Sequence, residues 1–136
     1  MKEITVLAVT ENVEVVTDFI NAELEEQGCP MKAQMQIDIA IDEIFSNIAS
    51  YAYDKNEGNA TVKIDFNESP LTAIITFSDE GIPYNPLLRD DPDVTLSADD
   101  RGIGGLGIYL VKKTMNDVSY EYKDNRNILT ISKILS

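Results

Sequence analysis

The chain is 136 residues long and 43% hydrophobic, enough for one compact domain spanning residues 1–136 with a core of its own. It contains no histidine, which removes Ser-His-Asp catalysis, Cys-His catalysis and most zinc sites. A formal net charge of −13 argues against nucleic acid or an anionic membrane as partner, since both require a basic footprint.

Residues 2–9 read as a strand rich in Ile, Val and Thr, without the charged-then-apolar pattern of a signal peptide. Thr10 is a candidate N-cap for a first helix carrying Glu11, Glu14, Glu25 and Glu26, which Gly28 ends with Pro30 just beyond. On that helix Val13, Val16 and Ile20 form a core face; the alternative is a homodimer interface. Cys29 has no partner for an internal disulfide, so a reducing compartment, the cytoplasm, is expected.

A second helix is predicted over residues 31–49, with Ile37, Ala40, Ile41, Ile44 and Ile48 at the spacing of one buried face. This is the most apolar window, yet Asp38, Asp42 and Glu43 interrupt it and exclude a membrane span. Within it, Glu43 and Asn47 lie one turn apart and point the same way, while Asp38 and Asp42 fall on the opposite flank. An acid able to take a proton therefore stands beside an amide oxygen able to ligate Mg²⁺. The same spacing also describes an ordinary solvated helix face.

After the Asn56-Glu57-Gly58-Asn59 turn, Val62, Ile64 and Phe66 alternate with polar residues, and residues 71–77 form a more fully apolar strand. Directly behind it comes Ser78-Asp79-Glu80-Gly81-Ile82-Pro83. A carboxylate at Asp79 can accept a hydrogen bond from an exocyclic amine, while Gly81 lets a flat ring approach the backbone. An ordinary turn would use the same residue types. Residues 81–101 are Pro- and Asp-rich without periodicity, a length of loop that is usually functional or disordered.

The stretch Gly102-Ile103-Gly104-Gly105-Leu106-Gly107 opens a helix over residues 102–115, bringing backbone N–H groups and a helix N-terminus to where phosphates can bind. It spells the G-x-G-x-x-G of dinucleotide-binding folds, but it follows an acidic loop instead of a strand, so the context fails. No P-loop Lys-Ser or Lys-Thr pair follows it. Residues 118–122 and 128–134 close the chain as a hairpin turned at Asp124-Asn125-Arg126-Asn127. This order of elements predicts an α+β two-layer sandwich, a mixed sheet with helices on one face.

Taken in order, the Glu43–Asn47 helix, the Asp79-Glu80-Gly81-Ile82-Pro83 box and the glycine-rich segment resemble the nucleotide-binding boxes of the GHKL, or histidine-kinase-like, ATPases. Tyr51 and Tyr53 after the first box, Gly105-Leu106-Gly107-Ile108-Tyr109-Leu110 in the third, and the ending Asn127-Ile128-Leu129-Thr130-Ile131 extend the likeness to nearly the whole chain. It is most similar to the anti-sigma factors that are serine/threonine-protein kinases. That resemblance implies ATP and Mg²⁺ as cofactors, with Glu43 as the general base for a serine hydroxyl and Asn47 as a ligand of Mg²⁺. It implies that Asp79 meets the adenine amine, that Gly81 lies against the ring and that Thr130 supports Asp79 or its water from the sheet. Gly102, Gly104, Gly105, Leu106 and Gly107 would line the phosphates beneath a lid over residues 84–101. That lid is acidic (Asp90, Asp91, Asp93, Asp99, Asp100), so Arg89, Arg101 or Mg²⁺ would have to offset its repulsion of a triphosphate. The implied partners are a small antagonist protein carrying an acceptor serine, and a sigma factor. The alternative within the same fold is a non-catalytic ATP-binding interaction module, since catalysis does not follow from nucleotide binding. A histidine-kinase catalytic domain is the third, and it would need a phosphoacceptor outside this chain.

Overall fold

The computed structural model describes residues 1–53, 56–88 and 106–135. In chain order they form β1 (Lys2–Leu7), α1 (Val13–Glu26), α2 (Met31–Tyr51), β2 (Asn59–Asn67), β3 (Thr72–Asp79), α3 (Leu106–Thr114), β4 (Asp117–Lys123) and β5 (Arg126–Ile134). Short 3₁₀ turns cover Thr10–Asn12 and Pro86–Leu88. The five strands make one sheet in the order β1-β2-β3-β5-β4.

Every pairing in that sheet is antiparallel, which corrects the expected mixed sheet. The cause lies in the connections. Two helices, α1 and α2, separate β1 from β2, so the chain returns to the end of the sheet it left and β2 runs back along β1. One helix separates β3 from β4, which would make those two strands parallel neighbours. Instead β5 turns back through a tight hairpin and inserts between them. The hairpin turn is shorter than the four residues expected: Lys123 pairs with Arg126, leaving Asp124 and Asn125 at φ +55° and +64°. Asp and Asn tolerate that left-handed pair better than most side chains, which suits a two-residue hairpin loop.

The core lies between the sheet and the helices. Val62 and Ile64 from β2, Ile75 and Phe77 from β3, and Ile131 from β5 are all at most 1% exposed. Their period of two places one face of each strand under the helices. From the helical layer, Val16, Ile20 and Leu24 of α1 and Ile37, Ile41, Ile44 and Phe45 of α2 pack onto them. Val16 and Ile20 thus serve the core, with Val13 packed at its edge. Burying each of these large side chains contributes about 1.5–3 kcal/mol.

Helix boundaries follow from local chemistry. Thr10 heads a 3₁₀ turn, and Asn12 stands at the N-cap of α1 without a side-chain capping bond. At the other end, Cys29 N–H donates to the Leu24 carbonyl and Gly28 N–H to the Glu25 carbonyl, both at 3.1 Å. Gly28 at φ +70° supplies the left-handed residue that this Schellman arrangement needs. α2 then begins at Met31 behind Pro30 and runs two residues further than its periodicity predicts.

Candidate active site

Three elements converge at one end of the sandwich: the last turns of α2, the end of β3 and the start of α3. On α2, Ile44 and Phe45 face the core, so Glu43 and Asn47 emerge half-buried on the adjoining flank. Asn47 Nδ2 donates to Glu43 Oε1 at 3.3 Å, joining the acid and the amide through a long hydrogen bond. The Glu43 carboxylate lies directly against Gly107 in the first turn of α3, where any Cβ would collide with it. A side chain at Gly107 would have to push aside the Glu43 carboxylate, the far end of a flexible side chain. The one-turn spacing on α2 and the end of the glycine-rich segment do share one place.

Asn47 also lines a narrow, mainly apolar cleft that reaches across to Asp79. Ile44, Ile48, Phe77, Ile82 and Leu129 supply apolar walls, and the polar lining includes Asp79, Asn127 and Tyr120. At the rim, the Tyr51 and Tyr84 rings stand 5.8 Å apart at a 36° tilt. Such a slot suits a flat, mainly apolar ring with a few polar edge atoms.

Asp79 is the last residue of β3 and only 5% exposed. Burial raises its carboxyl above the usual carboxylate range, while Asn127 and the Gly81 N–H oppose that shift by hydrogen-bonding the charged form. Both of those bonds are 2.9 Å long and both end on Oδ1. Gly81 serves a different contact from the expected one: its open side faces the Ala52 carbonyl, not the cavity, and a methyl there would strike it. Ile82 N–H donates to the same Ala52 carbonyl at 2.8 Å, so the turn after β3 is stitched to the end of α2. Tyr53 adds a second stitch, its hydroxyl donating to the Asn59 carbonyl at 2.6 Å and accepting from Glu80 N–H at 2.8 Å.

Thr130 is not the residue that hydrogen-bonds Asp79 directly. It pairs with Thr76 in the sheet, and the buried face of β5 carries residues 127, 129 and 131, so Thr130 belongs to the opposite face. The residue that meets Asp79 across the strands is Asn127, its register partner. The strand pattern offered a signal: Asn127 is the polar residue occupying a position of the apolar parity of β5. Leu106 opens α3. Gly102, Gly104 and Gly105, like the acidic residues 89–101, lie outside the described residues.

An apolar cleft at the open end of an α+β sandwich, with a helix-borne acid and amide beside it, is the arrangement of a ligand-binding domain. The chain belongs to the histidine kinase-like ATPase domain family, whose model matches residues 6–133. It is 26% identical over 101 residues to the serine/threonine-protein kinase BtrW of Bordetella bronchiseptica, covering 74% of this chain and 70% of that protein. It is also 26% identical over 93 residues to the serine-protein kinase RsbW of Bacillus cereus, covering 67% of this chain but only 58% of that one. Among solved structures, it superposes on the blue-light activated histidine kinase of Erythrobacter litoralis EL346 with a TM-score of 0.54 and 20% identity. That match covers 79% of this chain and 32% of the light-activated kinase, and it speaks for the fold alone. Among the described residues, no helix is long and apolar enough to cross a membrane.

Proposed function

We propose that the chain is an ATP-dependent protein serine kinase of the anti-sigma type, acting in the cytoplasm. It would phosphorylate a small antagonist protein and hold a sigma factor until that antagonist takes over. The observation that carries the proposal is the shared cavity. Asn47 and Asp79 line it from opposite elements, and Glu43, hydrogen-bonded to Asn47, reaches the first turn of α3. Serine kinases of the same domain family, BtrW and RsbW, support the choice of substrate class.

In this reading Asp79 accepts the exocyclic amine of adenine, with the ring between the apolar walls and the Tyr51–Tyr84 pair at the rim. The phosphates extend toward the start of α3, where unpaired N–H groups favour anions. The donor set fits Mg²⁺: Asn47 spends its Nδ2 on Glu43 and keeps Oδ1, a hard oxygen, for a cation. Mg²⁺ needs only one or two protein oxygens beside the phosphates, and its chemistry there is neutralisation of phosphate charge. Glu43 receives the proton of the acceptor serine hydroxyl as that oxygen bonds the terminal phosphorus and ADP departs. General-base help of this kind contributes roughly 10²–10⁴-fold.

The test separates chemistry from binding. Glu43→Gln is expected to lose about 10²–10⁴-fold in phosphate transfer to an antagonist while binding Mg-ATP within a few-fold of the parent. Asn47→Ala is expected to weaken both. Radiolabel transfer and calorimetric titration of each variant measure the two quantities. Undiminished transfer by Glu43→Gln would leave the chain a nucleotide-dependent interaction module.

A further inference from the structure

Asn127 is the most completely engaged polar side chain of the site, and the roles given to Glu43, Asn47 and Asp79 do not use it. It is 7% exposed at the end of β5. Its Nδ2 donates to Asp79 Oδ1 at 2.9 Å and to the Ile82 carbonyl at 2.8 Å. Its Oδ1 accepts from the Tyr84 N–H at 3.0 Å and from the Tyr120 hydroxyl. A carboxamide has two N–H donors and one oxygen with two lone pairs, so all four capacities are filled. The orientation of the amide is fixed by its neighbours. The Ile82 carbonyl can only accept and the Tyr84 N–H can only donate, so nitrogen and oxygen cannot be exchanged.

This arrangement has a chemical consequence for Asp79. A free carboxylate offers two adjacent acceptor oxygens, which match the two adjacent N–H donors on the pairing edge of guanine. The corresponding edge of adenine has one donor, its exocyclic amine, beside an acceptor nitrogen. In this protein Oδ1 of Asp79 already accepts from Gly81 N–H and Asn127 Nδ2, and no described residue bonds Oδ2. One acceptor remains, in a position set by Asn127.

We propose that Asn127 is a positioning residue that makes the pocket selective for adenine over guanine nucleotides, by occupying one oxygen of Asp79 and fixing the turn at residues 82–84. The inference rests on the nucleotide-binding reading above. Asn127 touches no reacting atom in it; selectivity is exerted through Asp79. Leaving a buried donor or acceptor without its partner is costly, so the geometry discriminates by what it leaves unpaired as well as by what it binds.

The experiment is competitive titration of the full chain with Mg-ATP and Mg-GTP. The parent is expected to prefer ATP by at least tenfold. Asn127→Ala frees one of the two acceptor positions on Oδ1, Gly81 N–H keeping the other, and is expected to shrink that preference by about tenfold or more, with GTP affinity falling far less than ATP affinity. Loss of ATP and GTP affinity in equal proportion in Asn127→Ala would reduce Asn127 to a structural residue and overturn the inference. Equal affinity of the parent for ATP and GTP would overturn it even if Asn127→Ala did not fold. A parent that binds neither nucleotide would instead refute the underlying reading.

Discussion

The two ends of the cavity are built on opposite principles. Around Asp79 the bonds are short, numerous and closed: Gly81, Asn127, Ile82, Tyr84 and Tyr120 form one connected network. Around Glu43 the described contacts are a single 3.3 Å bond to Asn47 and a carboxylate resting against Gly107. A recognition pocket gains by being rigid before its ligand arrives, because little ordering then remains to be done on binding. A general base gains by retaining an unsatisfied oxygen that can meet a proton. On the proposed reading, recognition falls to the sheet end and chemistry to the helix end, and each end can be perturbed separately.

The largest expected effect falls where the helix end is tightest. Gly107→Ala puts a methyl group into the Glu43 carboxylate. That carboxylate is the far end of a flexible side chain and can swing aside. The stability cost is therefore at the low end of overpacking, about 1 kcal/mol, and the main effect is a displaced base and reduced transfer. Because the obstacle is a single side chain, Glu43→Ala should relieve it. The double variant is expected to recover most of the stability lost in Gly107→Ala, as read by urea unfolding of all four proteins. Additive losses would mean that the clash is with the backbone of α2 and that Glu43 is not held there.

A smaller effect is expected at the sheet end. Tyr53→Phe removes one hydroxyl that both donates to Asn59 and accepts from Glu80. The ring should stay in place against Gly58, since a methyl on that glycine would overlap it. The cost is about 1–2 kcal/mol, for two hydrogen bonds to backbone groups near the surface. If the sheet end is the rigid one, amide exchange should accelerate at residues 58–60 and 80–82 while residues 106–108 exchange as in the parent. Acceleration at the start of α3 as well would dissolve the distinction between the two ends.

How far the sequence spoke differs between these ends for a physical reason. The helix end was legible because its logic is local: Glu43 and Asn47 are neighbours by helical period, and Gly28 ends α1 through bonds that reach back only a few residues. Asp79 was legible as a carboxylate ending a buried strand. Its partner was not, because the pairing of Asp79 with Asn127 spans 48 residues and depends on the β3–β5 register. Thr130 has the wrong parity by one residue, and a one-residue error in a strand moves a side chain to the other face of the sheet. The antiparallel sheet escaped for a related reason, since the insertion of β5 between β3 and β4 is a tertiary choice. Gly81 was recognised as a close-approach glycine, but what approaches it is the Ala52 carbonyl of the preceding helix.

The finest expected effect tests the cost of the rigid end. Burial raises the Asp79 carboxyl above its ordinary value, more than Asn127 and Gly81 lower it. A carboxyl raised on folding favours the folded state in its protonated form. That contribution is complete below the unfolded value, near 3.9, and is lost as pH rises through the folded value. At neutral pH the ionised carboxylate therefore opposes folding, and the hydroxyls nearest it do not offset this, since burial also holds Tyr53 and Tyr120 in their neutral forms. Asp79→Asn keeps an oxygen that can accept from both Gly81 and Asn127 but removes the buried charge. It is expected to be more stable than the parent at pH 7, with the difference narrowing as pH falls toward 4, while its preference for ATP over GTP declines. Urea unfolding at several pH values, set beside nucleotide titrations of the same two proteins, measures both trends. A variant less stable than the parent at pH 7 would show that the hydrogen bonds to the charged form outweigh desolvation, and that the recognition end carries no stability cost for the selectivity assigned to it.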